Sequence, residues 1–277
     1  MIPSARSVFF PTRARSVGAQ RDLETRFFRG LRLPNGTYKT TFPGRLTDVD
    51  AATADLLGGH GALTLLDVAV SSGATTVELL ATLEARGILV HPTATDLYLH
   101  AALERRAGCV DVLLDPTGYA LQVGCLVGTK CRPHDPAGSW RRRWLDRLLD
   151  VLGGVPGPGA LPVLLVARAL RDRPDVVLDQ QDLSIPRVEW RERFDLVRAA
   201  NILNLDYFAP DLLRQMAGHL ADCVRPGGLL VVCRTLEDAS NHATIFWKTV
   251  AGLAPVARVG HGSEIESLLT ARPEFPT

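Results

Sequence analysis

Along this chain, short apolar runs alternate with segments of helical character, and that alternation limits the fold more than any other feature. The runs lie at 63–69, 88–96, 175–184, 194–203 and 229–235. Those such as "LTLLDVA" and "LLVVCRT" are apolar almost throughout, as in strands covered on both faces. Helical patterns fall at 46–59, 74–86, 97–107, 210–223 and 241–252, with two last strands expected at 255–260 and 264–271. Strands alternating with helices fold as an α/β domain. The sheet is expected to be doubly wound and mostly parallel, with right-handed crossovers and an antiparallel strand near the C-terminus.

The rhythm breaks between 110 and 173. "VDVLLDPTGYALQV" is two short runs joined by Asp115-Pro116-Thr117-Gly118, a hairpin signal. "SWRRRWLDRLLDVLGG" (139–154) is an amphipathic helix, and 163–173 reads as a further short helix. Trp140, Trp144 and Leu148 recur at helical spacing among Arg141, Arg142, Arg143 and Arg147. Tryptophans so spaced are expected in a core; a pocket cap, a homodimer face and a surface for an acidic partner are the alternatives. The chain is thus read as a basic arm and helix over 1–59, and an α/β domain over 60–277 with an inserted hairpin and helical segment at about 110–173.

With 277 residues, 46% of them hydrophobic, the chain can bury a large core. No run is long enough to cross a bilayer. Net charge is only +1, but residues 1–45 hold eight arginines and Lys39 against Asp22 and Glu24. This arm is expected to be a solvated or partly disordered extension, with an acidic partner or nucleic acid as the alternative. It lacks the continuous apolar core of a secretory signal, although its Arg and Ser content suits a transit peptide. The five cysteines show no disulfide spacing, which favours a reducing cytoplasm. Cys223 and Cys233 sit where thiols pack as small hydrophobes. Cys125, Cys131 and His134 lack a CxxC pair and a fourth ligand, so no metal is expected.

Ligands of such sheets bind beyond the carboxyl ends of the strands, here the 69–73 loop, Asp96, Asp182 and Asn201. A dinucleotide would want G-x-G-x-x-G after the first strand. Ala69, Ser71 and Ala74 occupy those three positions and would crowd a diphosphate, which argues against nicotinamide chemistry.

"LLDVAVSSGATT", an acidic residue ending the second strand, "FDLVRAANIL" and "VRPGGLLVV" follow one another in an order and spacing that resembles the class I S-adenosylmethionine-dependent methyltransferases. The resemblance runs from about 63 to 235 and implies a Rossmann-like domain. In motif style it is nearest to the chemotaxis receptor methyltransferases. "AVSSG" has serine where other members have glycine, Ala94-Thr95-Asp96 ends the second strand, and "FDLVRAANILNLDYF" follows a "VVLDQQDL" strand. "TTFPGR" (40–45) is similar to an upstream family motif ending in arginine; "TRFFR" (25–29) matches better by letter but lies too far upstream. Three departures leave the acceptor open. Ala200 stands at the family's arginine, two extra residues separate Asn201 from Tyr207, and no receptor-docking hairpin is recognisable beyond "VLLDPTGYALQV".

The resemblance implies a cofactor, S-adenosyl-L-methionine, held by Asp67, Ala69, Val70, Ser71, Gly73, Asp96, Leu97, Asp182, Leu183 and Asn201. Small residues at 69, 71 and 73 admit a close backbone approach. Asp96 is assigned to the ribose hydroxyls, with helix N-capping as its alternative. Asp182 and Leu183 are assigned to the adenine. Asp67 is read as reaching the ligand's ammonium or anchoring the loop. Facing the methyl group, the candidates are Asn201, Tyr207, Arg45 and His242. A carboxylate acceptor needs no base, whereas an amine or phenol benefits from one. Each candidate has a structural alternative: a strand cap for Asn201, a core aromatic for Tyr207, a helix cap for His242. Arg198 is expected to be a charge-paired core arginine, and Glu264 and Glu266 a solvated turn. The acceptor is expected on a small molecule or protein. Without an N/D-P-P-Y box a nucleic-acid substrate is disfavoured, and a retired fold that binds without turnover is the remaining alternative.

Overall fold

The computed structural model describes residues 2–106, 108–125, 128–133 and 139–270. In chain order, α1 (Ala5–Phe9) and α2 (Val17–Gly30) precede α3 (Thr47–Leu56), β1 (Ala62–Val68), α4 (Ala74–Ala85) and β2 (Leu89–Asp96). Strands β3 (His100–Arg106), β4 (Val110–Leu114), β5 (Ala120–Cys125) and β6 (Gly128–Cys131) lead to α5 (Trp140–Leu152), β7 (Leu161–Leu164) and α6 (Arg168–Arg171). Then come β8 (Val177–Gln180), β9 (Phe194–Ala200), α7 (Pro210–Cys223), β10 (Val224–Thr235), β11 (Asn241–Thr249), β12 (Gly252–Val259) and α8 (Glu266–Thr270). The chain forms two compact units, Met1–Phe42 with Tyr98–Asp172, and Pro43–Leu97 with Arg173–Thr277.

The second unit is the α/β domain. Its seven strands run β12-β11-β10-β9-β1-β2-β8. Pairs from β10 to β8 are parallel, and β11 alone runs against them. Apolar side chains alternate between the faces, as the pleat requires. Leu66, Val68, Val197, Leu230 and Phe246 pack beneath Leu213, Met216 and Leu220 of α7. α3 and α4 pack together, with α4 against β2 and α3 against β11. Two expectations reverse here. Residues 241–252 are not a helix: "ATIFW" is rich in β-branched and aromatic residues, and it pairs on both sides with β10 and β12. Where a strand was expected over 264–271, the described residues hold the short helix α8 instead.

The first unit is an antiparallel sheet ordered β6-β5-β4-β3-β7. The expected hairpin joins β4 to β5, with Asp115 Oδ1 accepting from the backbone N–H of Thr117 and Tyr119. The helix expected over 97–107 is largely β3. Its helix-forming Leu, Glu and Arg residues are overridden by pairing with β4 and β7, and Ala101 and Leu103 turn inward at period two. Residues 163–173 divide between β7 and α6. The basic arm is folded, contrary to expectation. Phe27 and Phe28 are 0% and 1% exposed and pack edge-to-face with Phe9, because aromatic burial outweighs the arginines on the other faces.

Helix α5 forms where the pattern placed it, with Ser139 Oγ accepting from Arg142 N–H. The core role of its tryptophans is reversed. Leu145, Leu149 and Leu152 face the sheet, while Trp140 and Trp144 are 67% and 61% exposed. Buried Arg132 pins the helix through Asp146 at 2.8 Å and Asp150 at 2.7 Å. All five cysteines are free; burial pushes the Cys131 and Cys223 thiols up to about 11 and that of Cys233 to about 12. Among the described residues no cluster of His, Cys, Asp or Glu is arranged to hold a metal; His134 lies outside them. No helix of the described residues is long and apolar enough to cross a membrane.

Candidate functional site

The parallel strands of the α/β unit present their carboxyl ends along one edge, and the loops there carry its backbone strain. Among the described residues five non-glycines have positive φ: Ala69, Ser71, Glu192, Asn201 and Ala239. All but Glu192 lie at this edge, and such concentration marks sites held in place by their surroundings. After β1 the chain turns through Ala69 (φ 54°) and Ser71 (φ 59°), then Gly73 (φ 78°), which precedes α4. Val70 N–H donates to the Thr95 carbonyl at 3.0 Å, and Ser71 N–H to Asp96 Oδ2 at 2.7 Å. The loop is thus tied to the end of β2. Ala69→Gly is expected to raise stability by about 1 kcal/mol in denaturant unfolding, since glycine relieves left-handed strain; a loss would show that the loop is unstrained there.

Asp96 is 8% exposed and holds its carboxylate at the strand end; it caps no helix, since β3 follows. Nearby, the hydroxyls of Thr76 and Thr95 are buried without a hydrogen-bond partner, which is uncommon in a folded interior. The edge therefore offers small side chains, an approachable backbone and a fixed carboxylate.

Arg45 and Asn201 meet: Asn201 Oδ1 accepts from Arg45 Nη2 at 3.2 Å and from Thr235 N–H at 2.7 Å. Asn241 donates to the Arg45 carbonyl at 2.8 Å and to Asp48 at 2.6 Å. Burial pushes the Arg45 guanidinium below its ordinary value, opposed by Cys233 and Tyr207. Tyr207 is 62% exposed, not a core residue, and its ring lies edge-on to Phe208. Its loop is held by Arg234, which pairs with Asp206 and, at 2.8 Å, with Glu264. Glu264 is thus an ion-paired anchor, as is Glu266 with Arg258.

The other candidates divide: Asp182 stays on this edge, while Asp67 and His242 are engaged elsewhere. Asp67 gives both carboxylate oxygens to Arg198 at 2.9 and 2.7 Å, while Arg198 Nη1 reaches Asp50 at 2.8 Å. All three are 1–2% exposed, so Asp67 anchors the core and Arg198 is the charge-paired arginine expected. Asp182 follows β8 at the sheet edge, and its Oδ1 accepts from Ser184 N–H and Oγ. Gln181 N–H donates to the Asp96 carbonyl at 3.1 Å, which sets this turn beside the end of β2. Leu183 packs against the α7 cluster and Leu97 is 38% exposed. His242 lies on β11, so it caps no helix. Since Asn241 faces Arg45, its strand neighbour His242 points to the other face, where it stacks on His261 and Nδ1 accepts from His261 N–H. Thr235, Asn241 and Asp48 escaped sequence reasoning, because the helix expected at 241 hid the β10–β11 turn that brings them to Arg45.

No family model matches the chain, and no curated protein is significantly similar to it. Solved structures resemble parts of it. A TehB-like SAM-dependent methyltransferase from Corynebacterium glutamicum is 16% identical, over 66% of this chain and 60% of its own, with a TM-score of 0.32. The 1,6-didemethyltoxoflavin-N1-methyltransferase of Burkholderia thailandensis, solved with 1,6-didemethyltoxoflavin and S-adenosylhomocysteine, is 14% identical over 82% of this chain and 65% of its own, at 0.37. The CMeT domain of citrinin polyketide synthase is 15% identical over 64% and 30%, at 0.33. The chain spans less than two thirds of each of these proteins. At such values the likeness transfers no substrate, cofactor or residue role.

Proposed function

We propose that the α/β unit binds S-adenosyl-L-methionine along the carboxyl edge of its sheet, and that the chain is a methyltransferase acting on an oxygen or nitrogen of a small molecule or protein side chain. The carrying observation is the strained 69–73 loop, tied through Ser71 to the carboxylate that ends β2. When bound, the cofactor supplies an electrophilic methyl group together with its own leaving group. The protein's part is to position. Ala69, Ser71 and Gly73 let the backbone approach the ligand's amino-acid and ribose portion, Val70 lines the loop, and Asp96 accepts from the ribose hydroxyls. Asp182, Leu183 and Leu97 border the adenine. Arg45 and Asn201 orient the acceptor, and Tyr207, an exposed phenol on the same edge, stands by for an acceptor that must lose a proton. The finer likeness to the chemotaxis receptor methyltransferases is proposed on the motif residues at 69–73, 94–96 and 194–208 alone. His242, with Nδ1 already accepting, is a poor base, and Asp67 is left to the core. Five free thiols suit a reducing compartment such as the cytoplasm.

One observation favours a retired fold: Ser71 N–H already occupies one oxygen of Asp96. Calorimetric titration with S-adenosylhomocysteine, beside NADH, separates the readings. Micromolar binding of the first alone is expected; no binding by a folded protein would sink the proposal. Turnover over acceptors bearing carboxyl, hydroxyl and amine groups then separates an enzyme from a binding protein.

A further inference from the structure

We infer that the unit formed by Met1–Phe42 and Tyr98–Asp172 carries a binding site of its own, for a ligand with an apolar body and a single carboxylate. A cavity of about 670 Å³ lies wholly within this unit, in the size range of small-molecule sites. Val8, Phe9 and Phe10 form one apolar wall, and Ala101, Val163 and Leu164 the other. The charged groups gather at α6, where Arg168, Arg171 and Asp172 line the cavity, with His100 from β3.

The anions at that end are already committed. Asp172 accepts from Arg168 Nε at 2.9 Å. Glu24, 5% exposed, accepts from Gln20 Nε2 at 3.0 Å and from Arg168 N–H at 2.9 Å. Arg171 is the exception. Its side chain is 18% exposed, and its contacts are long: 3.8 Å to Glu24 and 3.4 Å to the Val166 carbonyl. The guanidinium lies 4.8 Å from the centre of the Phe9 ring, which holds it at the apolar wall. Burial pushes it below its ordinary value. A poorly solvated guanidinium fork with only long contacts is matched by a carboxylate, which takes two parallel N–H bonds, while the rings and aliphatic side chains cover an apolar body. A cationic ligand would meet Arg171, whose nearest carboxylate stands 3.8 Å away.

The test is calorimetric titration of the full chain with submicellar dodecanoate, 2-naphthoate and dodecanol. At least one carboxylate is expected to bind with a Kd below about 100 µM, and dodecanol at least about tenfold more weakly, as for a lost charged hydrogen bond. The better carboxylate tells an alkyl from an aromatic body. Arg171→Gln is expected to erase the preference for the carboxylate, and Arg171→Lys to keep part of it. Failure of both carboxylates to bind, equal affinity for dodecanol, or an unchanged preference in folded Arg171→Gln would each overturn the inference. Should Arg171→Gln fail to fold by circular dichroism, the wild-type ratio of carboxylate to alcohol decides.

Discussion

Asp96→Ala is expected to weaken S-adenosylhomocysteine binding by at least about tenfold, the effect of removing hydrogen bonds to a charged acceptor. Two losses add. In the proposed complex the ribose hydroxyls lose their acceptor, and the Ser71 amide, bonded to Asp96 Oδ2 at 2.7 Å, loses the group that holds the loop in its left-handed turn. Asp96→Asn separates them. An asparagine oxygen still accepts from the Ser71 amide but offers neither a charge nor the second acceptor, so its affinity is expected between those of wild type and alanine. Calorimetry on both variants, with thermal melts to confirm folding, measures this. Wild-type affinity in Asp96→Ala would place the ribose elsewhere, even if the cofactor binds.

Arg198→Met is expected to cost 3–5 kcal/mol, the range of order for breaking a buried ion network from one side. The guanidinium is 1% exposed and serves Asp67 and Asp50 together; its removal strands two carboxylates in the sheet–helix interface. Adding Asp50→Asn and Asp67→Asn to Arg198→Met is expected to restore part of the loss, because no charge then stays buried without a partner. Unfolding in urea reads both. Asp50 adds a pH signature. Burial, with Asp67 beside it, pushes its carboxyl up from 3.8 to about 6, although Arg198 pulls it down. The folded protein thus holds this proton more tightly than the unfolded chain. The stability it contributes is fully present below about pH 4 and is lost as pH rises through 6. For a group so deeply buried the change is roughly 3 kcal/mol. Asp50→Asn removes that titration, so the stability of the variant relative to wild type should rise between pH 4 and 6. A flat difference would mean that Asp50 stays ionised throughout.

Much of the α/β unit was legible because its central strands are largely apolar on both faces and its helices are punctuated. Helix α7 begins at Pro210 and ends at Cys223 as read, and β1, β2, β9 and β10 fall on their apolar runs. The site was legible where a role depends on chain position. Residues that end parallel strands gather at one edge, so the placement there of the loop at 69–73, Asp96 and Asn201 followed without knowledge of their neighbours. Roles that depend on a partner across the sheet were not. Asp67 looks the same in sequence whether it meets a ligand or Arg198, 131 residues later.

The sequence by itself determined the alternation of strands and helices, hence the parallel sheet, its carboxyl edge and the small residues of the first loop. It also set the extent of α5, though not which face is buried. Local propensity and period suffice for these, since each is settled within a few turns of chain. The tertiary structure alone decided that 100–106 and 241–249 are strands, that the basic arm folds around Phe27 and Phe28, and that Trp140 and Trp144 face outward. In each case contacts between distant segments outweighed local preference: a strand forms where a partner edge satisfies its backbone, and a side chain is buried only where another element covers it.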